Sequence, residues 1–163
     1  MEMEPIDLIL SIVYYAGEVD GRTRLQKIAY FVCEKLGLDL GFIPHYYGPY
    51  SSIVAKTLED LVATDFIEED VIPTSTGRTL FTYKLKSNVK GVSDQKEEIK
   101  NFIGRLSKES LDKVIAASKV HYLLKKYKNI NSLPDEARKY GWAVDGNDVS
   151  EAIGFLNEIG LIT

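Results

Sequence analysis

The order of elements between Asp20 and Asp70 constrains the fold more than any other feature of this sequence. Apolar residues at helical spacing predict a helix that ends at Gly37: Leu25, Ile28, Ala29, Val32 and Leu36. An aromatic connector follows, and a second apolar stripe predicts a helix to about Thr64: Val54, Leu58, Leu61 and Val62. Two extended stretches at 67–72 and 79–85 then flank a polar turn, which is the pattern of a hairpin.

A further helix over residues 5–16 precedes this stretch, because the apolar residues there recur at helical spacing and Pro5 suits a first helical position. Three helices followed by a hairpin is the order of a winged helix-turn-helix. Thr23 and Gln26 have the spacing of a capping box, and Gly48-Pro49 is predicted to be the turn that restarts the chain as a helix. The predicted fold class is mainly α with a small β-hairpin.

The chain is predicted to divide into a winged-helix-like domain, residues 1–88, and a helical extension, residues 89–163. A polar linker with Gly91 marks the boundary. Helix starts in the extension are predicted at Asp94 with Glu97, at Ser110, at Pro134, and at Asn147 or Asp148. The pattern Leu58-x-x-Leu61 recurs as Ile153-x-x-Leu156. The extension is therefore either a degenerate wingless helix-turn-helix packed on the first domain, or simply a set of amphipathic helices that end alike.

Composition and charge limit the range of functions. A net charge of −4, with 45% apolar and 27% charged residues, is typical of a globular protein and not of a general nucleic-acid binder. The single cysteine, Cys33, permits no internal disulfide and fits a reducing compartment. The start lacks the pattern of a signal peptide, and no apolar run reaches membrane length. The expected location is the cytoplasm, and no membrane partner is expected.

Two motifs carry a resemblance to a known family. Residues 23–30 read T-x-L-Q-K-x-x-Y, and residues 45–51 read H-Y-Y-G-P-Y-S ahead of the helix with Leu58 and Leu61. This combination resembles the YwgA-like proteins and, more distantly, the SocA-like antitoxin (Panacea) domains. Residues 117–123 and Gly141-Trp142 also look YwgA-like. The resemblance implies a winged-helix-like domain of bacterial or archaeal type, with antitoxin-type regulation among the more distant relatives.

The first functional hypothesis is a transcription-regulator-like protein that binds double-stranded DNA. In a winged helix-turn-helix, the third helix enters the major groove and the wing contacts the backbone. The predicted DNA contacts are Arg22, Arg24, Lys27, Ser51, Ser52, Lys56 and Arg78. Roughly six to ten phosphate contacts require a similar number of cations on one face. Helix 51–64 carries only one cation against two acids, so the charge count argues against strong binding by this helix alone.

The alternative hypothesis is a protein-interaction module, antitoxin-like or adaptor-like, that uses the same fold without binding DNA. His45, Tyr46 and Tyr50 are predicted to contact the protein partner, because large amphipathic rings dominate interface hot spots. Tyr47 is predicted to be structural and to fill the gap between the two flanking helices. The expected assembly is a homodimer.

Catalysis finds little support in the sequence. The two histidines and Cys33 lie at unrelated positions, without the spacing of metal ligands. A phosphate-binding loop, a dinucleotide-binding fingerprint and a nucleophile elbow are all missing from the sequence. Cys33 falls in the middle of a predicted helix, as a small packed residue does. The chain is therefore not expected to be an enzyme, and no metal or cofactor is expected.

Overall fold

The computed structural model describes residues 3–89 and 92–162, which form a mainly helical fold with small antiparallel sheets, as predicted. The helices are α1 (Pro5–Ala16), α2 (Arg22–Leu36), α3 (Ser52–Ala63), α4 (Glu97–Lys108), α5 (Leu111–Lys126), α6 (Leu133–Arg138) and α7 (Gly146–Glu158). The strands are β1 (Val19–Asp20), β2 (Ile43–His45), β3 (Gly48–Tyr50), β4 (Ile67–Pro73) and β5 (Thr79–Leu85). None of the described helices is both long and apolar enough to cross a membrane. The predicted boundary at Gly91 lies outside the described residues.

The strands form two separate antiparallel sheets. In the larger sheet the order is β1-β5-β4, so that β5 is central and pairs with both neighbours. The strands β4 and β5 pair along their whole length, from Ile67 opposite Leu85 to Pro73 opposite Thr79, which confirms the predicted hairpin. The smaller sheet is the β2–β3 hairpin, which lies in the connector between α2 and α3.

The helix α2 is the element against which the rest of the fold packs. Its residues Leu25–Cys33 are all buried, including the polar residues among them. The helices α1, α3, α4 and α5 all contact it. Because the covering helices come from both halves of the chain, one continuous hydrophobic core joins residues before and after the predicted boundary. The sequence predicted one buried stripe on α2, but the helix is buried on all sides over Leu25–Cys33. Leu36, which was assigned to the stripe, is exposed at the end of the helix.

Polar contacts also join α2 to the second half of the chain. The guanidinium of Arg24 donates to the backbone carbonyls of Glu109 at 2.7 Å and Leu106 at 3.3 Å, at the end of α4. The hydroxyl of Tyr30 lies 2.6 Å from Nδ1 of His121 on α5, and both side chains are buried. Burial raises the pKa of Tyr30 and lowers the pKa of His121. The tyrosine is therefore the donor and the neutral imidazole the acceptor.

The predicted turn at Gly48-Pro49 is wrong. These residues form the beginning of β3, with Pro49 opposite Pro44 and Gly48 opposite His45. The turn lies one step earlier, at Tyr46 and Tyr47. A short hairpin tolerates proline because only some of its N–H groups are needed for pairing. Hydrogen bonding between β2 and β3 therefore outweighs the tendency of the Gly-Pro dipeptide to form a turn.

Several predicted helix starts are also wrong, whereas Ser110 caps α5 as predicted. The N-cap of α2 is Gly21, without a side-chain cap, so Thr23 and Gln26 form no capping box. The helix α4 begins after Lys96 without a side-chain cap, and Asp94 is instead paired with Lys100 at 3.0 Å. The helix α7 begins earlier than predicted, because Asp145 and Asp148 form the capping box there.

The buried Tyr30–His121 contact predicts a loss of stability in acid. The pKa of His121 is lower in the folded protein than in the unfolded chain, where it is about 6.5. The stabilisation by the neutral imidazole is therefore complete above pH 6.5 and is lost as the pH falls towards the pKa of the folded protein. Relative to His121→Gln, whose amide oxygen can still accept from Tyr30, the natural chain is expected to lose more stability between pH 7.5 and 5.5. Urea denaturation at both pH values measures this difference. Parallel loss in both proteins would contradict the assignment.

Candidate functional site

The largest apolar recess among the described cavities lies between α2, α3 and the β2–β3 hairpin. Its volume is about 640 Å³, within the ordinary range of ligand sites. Apolar side chains from both helices line it: Leu25, Val54, Ala55, Leu58, Val62 and Ala63. We call this recess the α2–α3 groove. Polar and aromatic residues stand at its two ends, and they are described in turn below.

The spacing of the groove walls is set by polar contacts between α2 and the start of α3. The Gln26 side chain donates to the Ser51 carbonyl and accepts from the Ser51 N–H, both at 2.9 Å. The Ser51 hydroxyl accepts from the Val54 N–H at 3.1 Å and donates to the Leu40 carbonyl at 2.6 Å. All of these groups are satisfied away from water, so the two helices are held together here while the groove stays open further along α3.

Aromatic residues of the β2–β3 hairpin form one end of the groove. The ring of His45 stacks on Tyr50 at a centroid distance of 4.8 Å, and both residues line the groove. Tyr47 also lines it and is 54% exposed, so the prediction that Tyr47 fills a gap between helices is wrong. Tyr46 is 83% exposed at the turn. The hairpin is anchored from behind by Trp142, whose Nε1 donates to the His45 carbonyl at 2.6 Å.

Glycine is required at position 48 because the hairpin packs closely on α5. Its φ is +109°, which side chains rarely adopt. A Cβ atom there would lie 2.9 Å from Oγ of Ser118 and 3.2 Å from Cγ of Lys119. The strand β3 therefore lies between the groove and α5, and the second half of the chain supports the aromatic end of the groove.

We expect Gly48→Ala to lower the free energy of unfolding by about 2 kcal/mol or more, because backbone strain and the contact with Ser118 add. The control is Gly77→Ala, at φ +78° with no atom within 4 Å of the added Cβ. Gly77→Ala introduces backbone strain without a steric contact, so it should lower the free energy of unfolding by about 1 kcal/mol. Urea denaturation measures both values. Equal losses in the two variants would show that the approach to α5 is not tight.

Lys27 lies at this same end of the groove and is almost completely buried. It is 2% exposed, and its Nζ donates to the Pro49 carbonyl at 2.8 Å. Burial, together with the neighbouring charge of Lys119, lowers the pKa of Lys27 from 10.5 to about 8. Across residues 3–89 and 92–162 no carboxylate forms an ion pair with Lys27. Perturbed ionisable groups in clefts are concentrated at functional sites.

The opposite end of the groove carries a compensated ionic network. Arg22 donates from Nε to the Tyr83 hydroxyl at 3.0 Å, and that hydroxyl donates to Glu69 at 2.7 Å. Arg22 also lies over the Phe81 ring at 4.1 Å. Burial and the bond to Glu69 raise the pKa of Tyr83 to about 12. Glu59 lines the groove nearby. The charges at this end are therefore compensated, since Glu69 faces Arg22 and Glu59 acts on Lys56.

Three of the predicted DNA contacts are engaged within the protein. Lys27 donates to Pro49, Arg24 donates to carbonyls at the end of α4, and Ser51 is 0% exposed as the N-cap of α3. A phosphate cannot reach a buried hydroxyl or ammonium without displacing these bonds. The structure thus gives Arg24, Lys27 and Ser51 structural contacts, and their roles as backbone clamps and phosphate contact stay predictions.

The remaining predicted DNA contacts do not form a joined positive face. Ser52 is exposed on α3, and Lys56 pairs with Asp60 on the same helix at 2.8 Å. Arg22 faces Glu69 and Tyr83, as described above. Arg78 is exposed in the turn between β4 and β5. Of the cations predicted to contact DNA, Arg78 is exposed and forms no ion pair with any of the described residues.

A second cavity, of about 540 Å³, lies between the end of α2 and α5. Its charges are compensated, since Lys125 donates to Glu34 at 2.8 Å. Cys33 lines this cavity, but burial raises the pKa of its thiol to about 12, so that the reactive thiolate is disfavoured at neutral pH. In the described part of the chain, no group of three His, Cys, Asp or Glu side chains could hold a metal ion.

Comparison with known proteins found no matching family model, no matching curated protein and no matching solved structure. The resemblance to YwgA-like proteins therefore stays a prediction.

Sequence reasoning missed Lys27 as a groove residue and did not foresee the groove itself. The available signal was the segment Leu25–Cys33, in which apolar residues fall on every side of the helix rather than on one stripe. A lysine and a glutamine inside such a segment are expected to be buried and bonded. The walls contributed by Ala55 and Ala63 carry no signal of their own, because alanine is equally common on exposed helix faces.

Replacing Lys27 by methionine is expected to stabilise the protein at neutral pH. The lowered pKa corresponds to about 3 kcal/mol, and the lost hydrogen bond to Pro49 offsets about 1 kcal/mol, which leaves a gain of about 2 kcal/mol. The penalty of burying the charge is complete below pH 8 and vanishes as the pH rises to 10.5, where the unfolded amine also loses its proton. The gain should therefore disappear near pH 10.5.

Urea denaturation of the natural chain and of Lys27→Met at pH 7 and near pH 10.5 measures this gain. Lys56→Met is the control, because that exposed lysine should change stability by less than about 0.5 kcal/mol. A Lys27→Met protein less stable than the natural chain at pH 7 would show that the buried ammonium stabilises the fold.

Proposed function

We propose that this chain is a protein-interaction module with a winged-helix-like fold, which binds a segment of a partner protein in the α2–α3 groove. The element order α1-β1-α2-β2-β3-α3-β4-β5, with sheet order β1-β5-β4, supports the winged-helix description. In that description β4 and β5 form the wing, and α3 is the third helix.

The observation that carries the proposal is the α2–α3 groove, whose floor is formed by the buried Leu25, Val54 and Leu58 and which has exposed tyrosines at its end. Leucine, valine and alanine side chains line it, while Tyr46 and Tyr47 stand at the adjacent turn. Concave apolar surfaces next to amphipathic rings are where interface hot spots form. Ile53 on α3 is exposed as well, beside the groove wall. A partner segment with apolar side chains would remove the exposed surface of Tyr46, Tyr47 and Ile53 from water.

DNA binding receives less support from the geometry. The third helix presents Lys56 already paired with Asp60, together with Glu59, so its exposed surface is not positive. Binding to the phosphate backbone depends on the number of free cations on one face. The wing contributes Arg78, but β4 also carries Glu68, Glu69 and Asp70. DNA binding therefore remains the alternative function, which titration with duplex DNA tests.

The experiment is co-purification of the tagged chain from cells that express it at its natural level. The natural chain is expected to recover one protein in a stoichiometric amount. Ala55→Trp fills the groove and should reduce recovery at least tenfold, whereas Ser150→Trp, at an exposed position of α7, should leave it unchanged. Recovery that Ala55→Trp leaves intact would overturn the groove as the binding surface.

The same purified protein is titrated with duplex DNA at about 50 mM salt, where the phosphate term is strong. The interaction module should give no shift in electrophoretic mobility. A shift that Arg78→Ala and Lys56→Ala reduce would favour DNA binding instead. The expected homodimer stays a prediction, and light scattering during the purification measures it.

A further inference from the structure

We propose that β4 binds an extended segment of a partner protein as an additional antiparallel strand, and that this segment carries a basic residue opposite Asp70. The sheet order β1-β5-β4 places β4 at the edge, where only one of its sides is paired. Exposed sheet edges bind extended segments through main-chain hydrogen bonds, and neighbouring side chains give specificity. The inference goes beyond the proposed function, because the pairing uses the backbone of β4 and not the α2–α3 groove.

The register of the β4–β5 hairpin shows which backbone groups of β4 face away from β5. Ile67 lies opposite Leu85, so Phe66 and Lys86 are the next pair. The Lys86 N–H donates to the Phe66 carbonyl at 3.1 Å, which makes this a hydrogen-bonded pair. Such pairs alternate with non-bonded pairs along an antiparallel ladder. The even-numbered residues of β4 therefore bond β5, and the odd-numbered residues direct their N–H and C=O groups outwards.

The outward groups of Glu69, Val71 and Pro73 form the accessible part of this edge, since Ile67 is buried. No backbone group elsewhere in residues 3–89 and 92–162 bonds to them. Proline lacks an N–H, so the edge offers N–H donors from Glu69 and Val71 and carbonyl acceptors from all three residues. An added strand would satisfy these donors and acceptors, as β5 does for the other side of β4.

Two exposed apolar side chains lie along the same edge. Val71 is 60% exposed, and Ile72 is exposed next to it. Successive residues of a strand point to opposite faces, so these side chains lie on the two faces of the sheet. Apolar residues directly opposite them on an added strand would form stabilising cross-strand pairs. The edge therefore favours a segment with two consecutive apolar residues at these positions.

The charge of β4 favours a different protein over a second copy of this chain. Glu68 pairs with Lys84 and Glu69 with Arg22, both at 3.7 Å. Asp70 is exposed and forms no ion pair with any of the described residues. A second copy that paired antiparallel along the whole of β4 would place its Asp70 directly opposite this one, and like charges in that position are destabilising. A basic residue is favoured there instead.

The position of Asp70 in the ladder brings that basic residue close. Asp70 uses its own backbone groups for β5, so on the outer side it takes part in a non-hydrogen-bonded pair. In such a pair the Cα atoms lie about 4.5 Å apart and the side chains are at their closest. In an antiparallel segment, the residues opposite Val71 and Ile72 precede the residue opposite Asp70. The expected pattern is therefore two apolar residues followed directly by lysine or arginine.

The test is selection from a library of random linear peptides displayed on phage. Val71→Pro removes an outward N–H but no donor of the β4–β5 ladder, so it blocks an added strand while the hairpin remains. Val71→Thr is the matched control, because it keeps the N–H and the branched side chain. Peptides that bind the natural chain and Val71→Thr but not Val71→Pro define edge ligands. Their enriched sequence is expected to contain the pattern of two apolar residues and a basic residue.

A synthetic copy of the enriched peptide is expected to bind Val71→Pro at least tenfold more weakly than the natural chain, and Val71→Thr less than threefold more weakly. N-methylation of the peptide should weaken binding at least tenfold at alternate residues, whose N–H groups face β4, and hardly at the residues between them. Each protein variant is used only after it has shown an unchanged circular dichroism spectrum.

The basic residue is tested with a second peptide, in which glutamine replaces it. Asp70→Asn should weaken the basic peptide about threefold, as expected for an exposed cross-strand ion pair, and should leave the glutamine peptide unchanged. The coupling between the two changes then measures the pair directly.

The outcomes separate this inference from the groove function, because Ala55→Trp should leave edge ligands bound. Strand addition is overturned if no selected peptide loses binding to Val71→Pro, or if N-methylation acts equally at every residue. The basic residue is overturned if Asp70→Asn affects both peptides alike. If light scattering shows a dimer that Val71→Pro converts to a monomer, the edge binds a second copy of the chain, and the proposed partner segment is wrong.

Discussion

The two hydrogen bonds between the Gln26 side chain and the backbone of Ser51 determine how α3 lies on α2. A carboxamide offers one acceptor and two donors, and here it satisfies both backbone groups of a buried residue. The Ser51 hydroxyl then caps α3, so that the position and the start of the helix are fixed by adjacent groups. The contact lies at the beginning of α3, and the groove lies beyond it, with the buried Leu25 and Leu58 among its lining residues.

The lysine that follows Gln26 serves the fold poorly. Its ammonium is removed from water without an ion pair in the described residues, and burial lowers its pKa to about 8. A methionine would fill similar space without a charge to desolvate. The bond from Nζ to the Pro49 carbonyl offsets part of this cost and joins α2 to β3.

The sequence allowed the helices and the β4–β5 hairpin to be predicted because their signals are local. Apolar spacing along α1, α3 and α4 reports which face meets the core, whatever covers it. Gln26 and Gly48 were misassigned because each has a plausible local role and a stronger contact with a residue distant in sequence. Gln26 bonds Ser51, 25 residues away, and Gly48 is dictated by contact with Ser118 on α5. Sequence rules for helix caps consider only neighbouring residues, so they cannot predict that a side chain will bond instead to a residue that the tertiary fold brings near.

The same distinction explains why charge counting along the sequence could not identify the ligand. Arg24 and Lys27 count as cations near the third helix, but the fold directs Arg24 to α4 and buries Lys27. What remains on the exposed face of α3 is a lysine paired with an aspartate, next to a glutamate. A surface whose cations are already neutralised releases few counterions from a phosphate backbone.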